Sequence, residues 1–218
     1  MSNVIRIPLF PLKTVLFPGM TLPLHVFEER YRSLLTDTKK NDDTFGIALI
    51  RRGSEVGPPA TPHNVGTLAR IQHTLPLPDG SFFVRVVGDA RFLVRELDLT
   101  SKPYPQALVV PLPPSPDAAN VPATFRLEVL RLLFDYRVAC GRFTPATTHP
   151  PEREIYPDRF SWSVAEEMPL TQKQRQELLE MQAVTPRLAR EKALLTDILL
   201  DSNRLREASS SSLPFSIN

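Results

Sequence analysis

The residues of this sequence that are best suited to covalent or metal chemistry are one cysteine and four histidines. Cys140 and His149 are the only cysteine and histidine whose spacing suggests a nucleophile beside a base, as nucleophilic catalysis requires. Cys140 comes late in an apolar segment, however, where a free cysteine usually packs as a small hydrophobic residue. His25, His63 and His73 are scattered and have no ligand-type neighbour at metal-site spacing. We therefore expect neither catalytic residues nor a metal site.

Acidic pairs and glycine patterns offer no further catalytic motif. Glu28-Glu29, Glu152/Glu154 and Glu166-Glu167 fall at expected helix ends or in a loop, and we interpret them as solvated surface. A phosphate-binding loop needs closely spaced glycines and a lysine. The chain has eight glycines and contains neither of the two common phosphate-binding patterns. The sequence therefore predicts a protein that is not an enzyme and that needs no cofactor.

Composition and charge favour a globular protein of the cytoplasm. The chain has 218 residues, a net charge of +2 and a single cysteine. It therefore needs no internal disulfide, and it lacks the strong basic excess that is typical of nucleic-acid-binding proteins. We find no signal peptide and no apolar stretch long enough to cross a membrane. The 23 prolines favour many short elements, because each proline fixes φ and removes a hydrogen-bond donor.

Hydrophobic patterns predict a β-rich first half. A continuous apolar run at Phe45–Ile50 is typical of a buried strand, and the pairs Pro18-Gly19 and Asp79-Gly80 indicate turns. Gly88-Asp89 is predicted to form another turn, between two separate strands. Phe27–Lys39 repeats apolar residues at helical spacing and predicts one helix. The predicted strands, which together suggest a small closed or nearly closed barrel, cover residues 4–8, 21–24, 45–50, 65–77, 81–87, 91–97 and 104–112.

A proline-rich connector at 111–122 separates this half from a helical one. Ala123–Ala139 is apolar on several faces and is predicted to be a largely buried helix. Thr171 and Gln174 fit a capping box at the start of another helix. Further helices are expected to begin at Asp158 and at Thr185-Pro186. The expected organisation is a β-barrel subdomain at 1–112, a helical subdomain at 122–206 and a disordered tail at 207–218.

Several segments follow one another in a family-specific order. They are Ile7–Leu12 (IPLFPL), Val15–Gly19 (VLFPG), Pro23–Tyr31 (PLHVFEERY), Val65–Ile71 (VGTLARI), Val87–Phe92 (VGDARF) and the stretch from Trp162 through Glu180. Together they resemble the N-terminal substrate-binding domain of Lon-type ATP-dependent proteases over residues 5 to 205. The resemblance implies an α+β fold, in which a pseudo-PUA-like β-barrel with one helix precedes a C-terminal α-helical bundle. The ATPase and peptidase motifs of those proteases have no counterpart in this sequence.

The resemblance also implies a function, namely the binding of unfolded or degron-bearing proteins. The chain would act as an adaptor or a holdase, with unfolded proteins or peptides and an ATP-dependent protease as its partners. Six residues are candidates for a peptide-binding surface, although aromatic residues of this kind also build cores: Phe10, Phe17, His25, Phe27, Tyr31 and Trp162.

Two other functions remain open from the residues alone. An RNA-binding PUA-like protein is the alternative binding function, which the near-neutral net charge disfavours. An enzyme would require His25, Glu28 and Arg30, which form the only close polar cluster within a motif, to converge in a deep pocket.

Overall fold

The computed structural model describes residues 4–39, 42–58, 60–141 and 156–211, with side chains described as far as residue 201. The chain divides into two compact units. The first, called the sheet unit below, comprises Met1–Pro114 and Ala165–Gln182. The second, called the helical unit, comprises Ser115–Val164 and Ala183–Asn218. The segment Ala165–Gln182, from the predicted helical half, thus packs with the strands. The expected division into separate domains at 112–122 stays a prediction.

The described part of the chain contains seven strands and five α-helices. The strands are β1 (Ile5–Leu12), β2 (Thr21–Val26), β3 (Thr44–Arg52), β4 (Thr61–Pro62), β5 (Val65–Pro76), β6 (Phe82–Asp98) and β7 (Gln106–Pro111). The helices are α1 (Glu29–Thr38), α2 (Ala123–Ala139), α3 (Pro157–Glu167), α4 (Gln172–Glu180) and α5 (Val184–Ser211), with a short 3-10 helix at Ala118–Asn120. The expected α+β class, strands first and helices after, is confirmed. Helix α5 includes the first residues of the predicted disordered tail, and 212–218 lie outside the described residues.

The strands form one mixed sheet that curls towards a barrel. Its order is β1-β7-β6-β5-β3-β4, and β2 pairs with β6. The first half of β1 pairs with β7, and its second half pairs in parallel with β3. The pairing therefore returns to its starting strand, but closure is partial because each half of β1 has a different neighbour. Apolar side chains such as Phe45, Ile47 and Val86 fill the interior.

Helix α4 belongs to the sheet unit because polar side chains fix it to the strands. Gln176 donates from Nε2 to the backbone oxygen of Val65 at 3.1 Å. Arg91 is buried and donates from one guanidinium nitrogen to the backbone oxygens of Leu179 and Met181, at 2.9 and 2.8 Å. These acceptors lie at the C-terminal end of the helix, where carbonyl groups lack intrahelical partners. The predicted capping box at the other end is confirmed, between Thr171 and Gln174.

The predicted turn at Gly88-Asp89 is wrong, because β6 continues through it from Phe82 to Asp98. Gly88 does not reverse the direction of the chain. Its lack of a side chain instead allows another segment to pack closely on β6. A Cβ at Gly88 would lie 2.2 Å from the backbone oxygen of Phe17. Gly88 also exchanges backbone hydrogen bonds with the segment before β2, accepting from Gly19 and donating to Met20. The missing side chain thus lets the chain between β1 and β2 lie directly on β6.

Helix α2 is less buried than predicted. Val129, Leu133 and Tyr136 face the interior, whereas Leu127, Phe134 and Val138 are exposed. The expectation that Cys140 packs in a core is also wrong, because its side chain is exposed. Cys140 is the C-cap of α2, and the next residue, Gly141, adopts a φ of +65° that ends the helix. His149 lies outside the described residues, so the Cys140–His149 pair has no structural description.

Candidate functional site

Strands β2, β6 and β5 lie side by side and present one outward face. Strand register places residues of the three strands in rows across it. Along β6 the exposed Phe83 and Arg85 alternate with the buried Val84 and Val86, since successive strand side chains point to opposite sides. The outer face, as we call it, has three rows: His25, Phe83 and Leu75; Pro23, Arg85 and His73; and Thr21, Val87 and Arg70. Eight of these nine residues are exposed, and Val87 is partly buried.

The first row of the outer face is strongly apolar. Phe83 and Leu75 are 38% and 49% exposed. Phe27 follows β2 and is 51% exposed, and its ring centre lies 5.7 Å from that of His25. Large apolar side chains that cluster in solvent mark interaction sites more often than isolated ones do. We call Phe27, His25, Phe83 and Leu75 the apolar row.

The rest of the outer face is basic. Arg85 and His73 occupy the row beside the apolar one, and Arg70 lies in the third row. None of the nine positions carries a carboxylate. The face therefore combines an apolar strip with cationic side chains, and it is complementary to a ligand that carries apolar and acidic groups.

A hydrogen-bonded relay fixes the His25 ring at the edge of this face. Ser81, which is buried, donates from Oγ to Asp79 Oδ1 at 2.6 Å. The same Oγ lies 2.9 Å from His25 Nε2. The hydrogen bonds that Asp79 accepts from the Ser81 hydroxyl and from the Ser81 backbone N–H hold the pKa of this carboxyl below its usual value. Two side chains of the β5–β6 turn, Ser81 and Asp79, thus set the orientation of one exposed imidazole on β2.

These contacts separate His25 from the other members of the proposed enzyme cluster. Arg30 pairs with Glu28 at 3.0 Å and donates to the backbone oxygen of Glu55 at 3.0 Å. His25 instead bonds to Ser81, whose hydroxyl hydrogen is engaged by Asp79. His25 thus has different partners from Glu28 and Arg30, and Arg30 joins the start of α1 to the backbone at Glu55.

Three of the candidate aromatic residues are buried in the sheet unit. Phe10 and Tyr31 stack with ring centres 3.9 Å apart. Burial raises the pKa of Tyr31 to about 12. Phe17 is fully buried beneath the guanidinium of Arg175, which lies 4.6 Å from its ring centre. These three residues are part of the core. That any of them contacts a bound peptide stays a prediction.

Trp162, the fourth buried candidate, lies in the helical unit. The guanidinium of Arg187 covers its ring, and Trp162 is only 4% exposed. Of the six candidates, therefore, only His25 and Phe27 reach solvent, and these two lie together on the apolar row.

A separate, concave feature also lies within the sheet unit. It is an open cavity of about 650 Å³, lined by Leu49, His63, Lys173, Gln176, Glu177, Glu180 and Met181. His63 Nδ1 lies 3.7 Å from Glu180 Oε1 across it. Within the described ranges, no group of three histidine, cysteine, aspartate or glutamate side chains could hold a metal ion. In that same part of the chain, no helix is long and apolar enough to span a bilayer.

One known protein family matches most of this chain. A family model described as the ATP-dependent protease La (LON) substrate-binding domain matches residues 6–197. The chain belongs to this family. The resemblance drawn from the IPLFPL, LFPG and PLHVFEERY motifs is thereby confirmed.

Curated relatives of this Lon-domain protein are much longer than the matched region. Lon protease 2 of Myxococcus xanthus is 30% identical over 154 residues, which is 66% of this chain and 18% of the relative. Lon protease 2 of Herpetosiphon aurantiacus is 28% identical over 199 residues, which is 89% of this chain and 24% of the relative. The Lon-domain chain thus corresponds to less than a quarter of either protease.

Solved structures show the same fold. The Lon N-terminal domain protein from Xanthomonas campestris superposes with a TM-score of 0.64 at 26% identity, covering 87% of this chain and 98% of that one. The N-terminal domain of a Mycobacterium avium complex Lon protease has a TM-score of 0.60 at 17% identity, covering 88% and 98%. Both similarities support the arrangement of a curled sheet followed by helices.

Sequence reasoning missed several residues of the Lon-domain outer face. From the sequence, Phe83, Leu75 and Arg85 are predicted only to lie in strands. The alternation of apolar and polar residues in 83–86 (FVRV) carries a signal for Arg85, but Phe83 is apolar on the solvent side and breaks the pattern. The sequence predicts a turn at Asp79-Gly80 and a strand from Ser81, but the contact of Ser81 with His25 crosses 56 positions in sequence.

Proposed function

We propose that this chain recognises protein substrates by binding extended segments on its outer face. The observation that carries the proposal is the apolar row, in which His25, Phe83 and Leu75 lie exposed on adjacent strands and Phe27 lies beside His25 just after β2. The family description supports substrate binding as the activity. The two candidate residues that reach solvent, His25 and Phe27, belong to this row.

The chemistry of the face defines the kind of segment that fits. Burying apolar area on Phe83 and Leu75 supplies non-directional affinity, of about 25 cal/mol for each Å² removed from water. Arg85 and Arg70 favour carboxylates beside those apolar groups. Folded proteins bury most of their large apolar side chains, so an unfolded or partly unfolded chain offers such a segment more readily. We therefore expect clients that combine aromatic or aliphatic residues with acidic ones.

Two cellular roles would use this activity. As an adaptor, the chain would pass bound segments to an ATP-dependent protease. As a holdase, it would need no protease and would keep unfolded proteins from aggregating. A degradation assay and an aggregation assay on one unfolded client separate them, since only an adaptor accelerates degradation. We place either role in the cytoplasm, where the single cysteine stays reduced.

Fluorescence anisotropy with labelled casein, an unfolded client, tests the proposal. Phe83→Ser should weaken binding about tenfold, because central aromatic residues dominate binding energy. Leu99→Ser is the matched control, since Leu99 is also 38% exposed but lies beyond the end of β6. Equal affinities of the two variants, or no binding by the unmodified chain, would contradict the proposal.

RNA is the alternative ligand, because aromatic and basic side chains on a sheet also bind single-stranded nucleic acid. The net charge of +2 and the family description favour protein. A gel shift with single-stranded RNA at two salt concentrations distinguishes them. Tight RNA binding that falls steeply with salt, without casein binding, would overturn the proposal.

A further inference from the structure

We infer that His25 recognises an unpaired backbone N–H group of the bound segment through its Nδ1 atom. This inference rests on the proposed function, because it concerns the same outer face. It adds a directional, polar requirement to a surface that is otherwise apolar and basic. It also gives a physical reason for the face to prefer unfolded polypeptides to folded ones.

The first step is the tautomer of His25. The Ser81 hydroxyl has one hydrogen, and it donates that hydrogen to Asp79 Oδ1 at 2.6 Å. At His25 Nε2, which is 2.9 Å away, the same oxygen can therefore only accept. Nε2 must carry a hydrogen to complete that bond. In the neutral ring, Nδ1 is then left without a hydrogen and is a hydrogen-bond acceptor.

The second step is the position of that acceptor. The His25 side chain is exposed, and its ring packs near Phe27. Its Cα partner across the sheet is Phe83. Among the described residues, the hydrogen bond of this imidazole is made by Nε2. The relay thus supplies an oriented acceptor beside the apolar strip, and Ser81 and Asp79 act as positioning residues for it.

The third step is the donor that fits. More than about 90% of the buried backbone N–H groups of folded proteins are already paired. In an extended, unfolded segment, the backbone N–H groups are hydrogen-bonded only to water. The apolar side chains next to them would pack on Phe27 and Phe83. An acceptor combined with an apolar strip therefore selects for unfolded backbone largely independently of sequence.

The tautomer can be measured on the free chain. Long-range 15N–1H NMR of the imidazoles should show hydrogen on Nε2 of His25 and none on Nδ1 at neutral pH. Ser81→Ala should shift the ring towards the mixture of both tautomers that an unconstrained imidazole shows, while His73, which lies on the same face, should be unaffected. A His25 ring that carries its hydrogen on Nδ1 in the unmodified chain would overturn the inference.

Binding is tested with the casein peptide that the chain binds most tightly on an overlapping peptide array. Replacing each backbone amide in turn by an ester removes one N–H donor. At one position the ester should weaken binding roughly threefold to tenfold, as expected for one hydrogen bond. This loss should vanish in His25→Phe, which keeps an aromatic ring, and persist in the control His73→Phe.

The outcomes separate the two proposals. If the unmodified chain binds no casein peptide, or if Phe83→Ser binds as tightly, the outer face is not the substrate site. If Phe83→Ser lowers affinity but no ester has an effect specific to His25, the outer face stands and the role of Nδ1 is refuted.

Discussion

The guanidinium carbon of Arg187 lies 3.6 Å from the centre of the Trp162 ring, and both residues are buried in the helical unit. The guanidinium also pairs with Asp158, and its Nε donates to Ser161 Oγ at 2.6 Å. Ser161 in turn donates to Glu191 Oε1 at 2.7 Å. One cation thus joins α3 to α5 through a buried polar network in place of a purely apolar contact.

Removing this cation should destabilise the helical unit. Arg187→Met removes the donor to Ser161 and the cation beside Asp158, and breaking a buried ion pair costs about 3–5 kcal/mol in the free energy of unfolding. Urea unfolding followed by Trp162 fluorescence reports the change, because Trp162 is the only tryptophan. Lys192→Met on the same helix is the control. It breaks an exposed pair with Glu128, so its cost should stay below about 1 kcal/mol.

Glu191 should make stability depend on pH. Its side chain is fully buried, and burial raises its pKa well above the ordinary 4.5. The folded state then binds a proton that the unfolded state has released, so the free energy of unfolding falls as pH rises from the ordinary pKa through the raised one. Glu191→Gln cannot ionise and should lack this decline.

The measurement is the stability difference between the unmodified chain and Glu191→Gln across this pH range. The advantage of the unmodified chain should shrink as pH rises. Glu29→Gln, at an exposed position in the first turn of α1, should give a difference that stays near zero. A constant difference for Glu191→Gln would show that Glu191 keeps an ordinary pKa.

Gly88→Ala should destabilise the sheet unit, because the added Cβ meets the backbone oxygen of Phe17. A backbone atom cannot move aside as a flexible side chain can, so we expect a loss of about 1–3 kcal/mol or more. Asp89→Ala, at the exposed neighbouring position, should cost much less. Circular dichroism during urea unfolding measures both variants, and equal stabilities would refute the close packing of β6 against the 13–20 segment.

Two local signals in the sequence predicted local structure correctly. The Pro18-Gly19 turn is confirmed, with a φ of +83° at Gly19. The Thr171–Gln174 capping box is also confirmed, because both of its partners lie within one helical turn. Residue type and short spacing decide such features, so no knowledge of the distant chain is needed.

Features that depend on distant partners could not be predicted in this way. Asp117 accepts hydrogen bonds from the N–H groups of Val184 and Thr185, and it caps α5 from 67 positions away. Glycine is common in turns, and it also permits close approach of two backbones. At Gly88 the second role applies, but the Phe17 backbone that packs there cannot be located from the sequence. For the same reason the buried Phe10 and the exposed Phe27 could not be told apart, and the outer face emerged only from strand register.

Site-specific photocrosslinking tests the central claim, that the outer face holds the substrate segment, most directly. Phe83 and, in a second variant, Leu99 would each be replaced by photoreactive benzoylphenylalanine, which is itself aromatic and apolar. After irradiation with casein, we expect strong crosslinks from position 83 and weak ones from position 99. Crosslinks of equal strength from the two positions, or none from position 83 while casein binds, would contradict it.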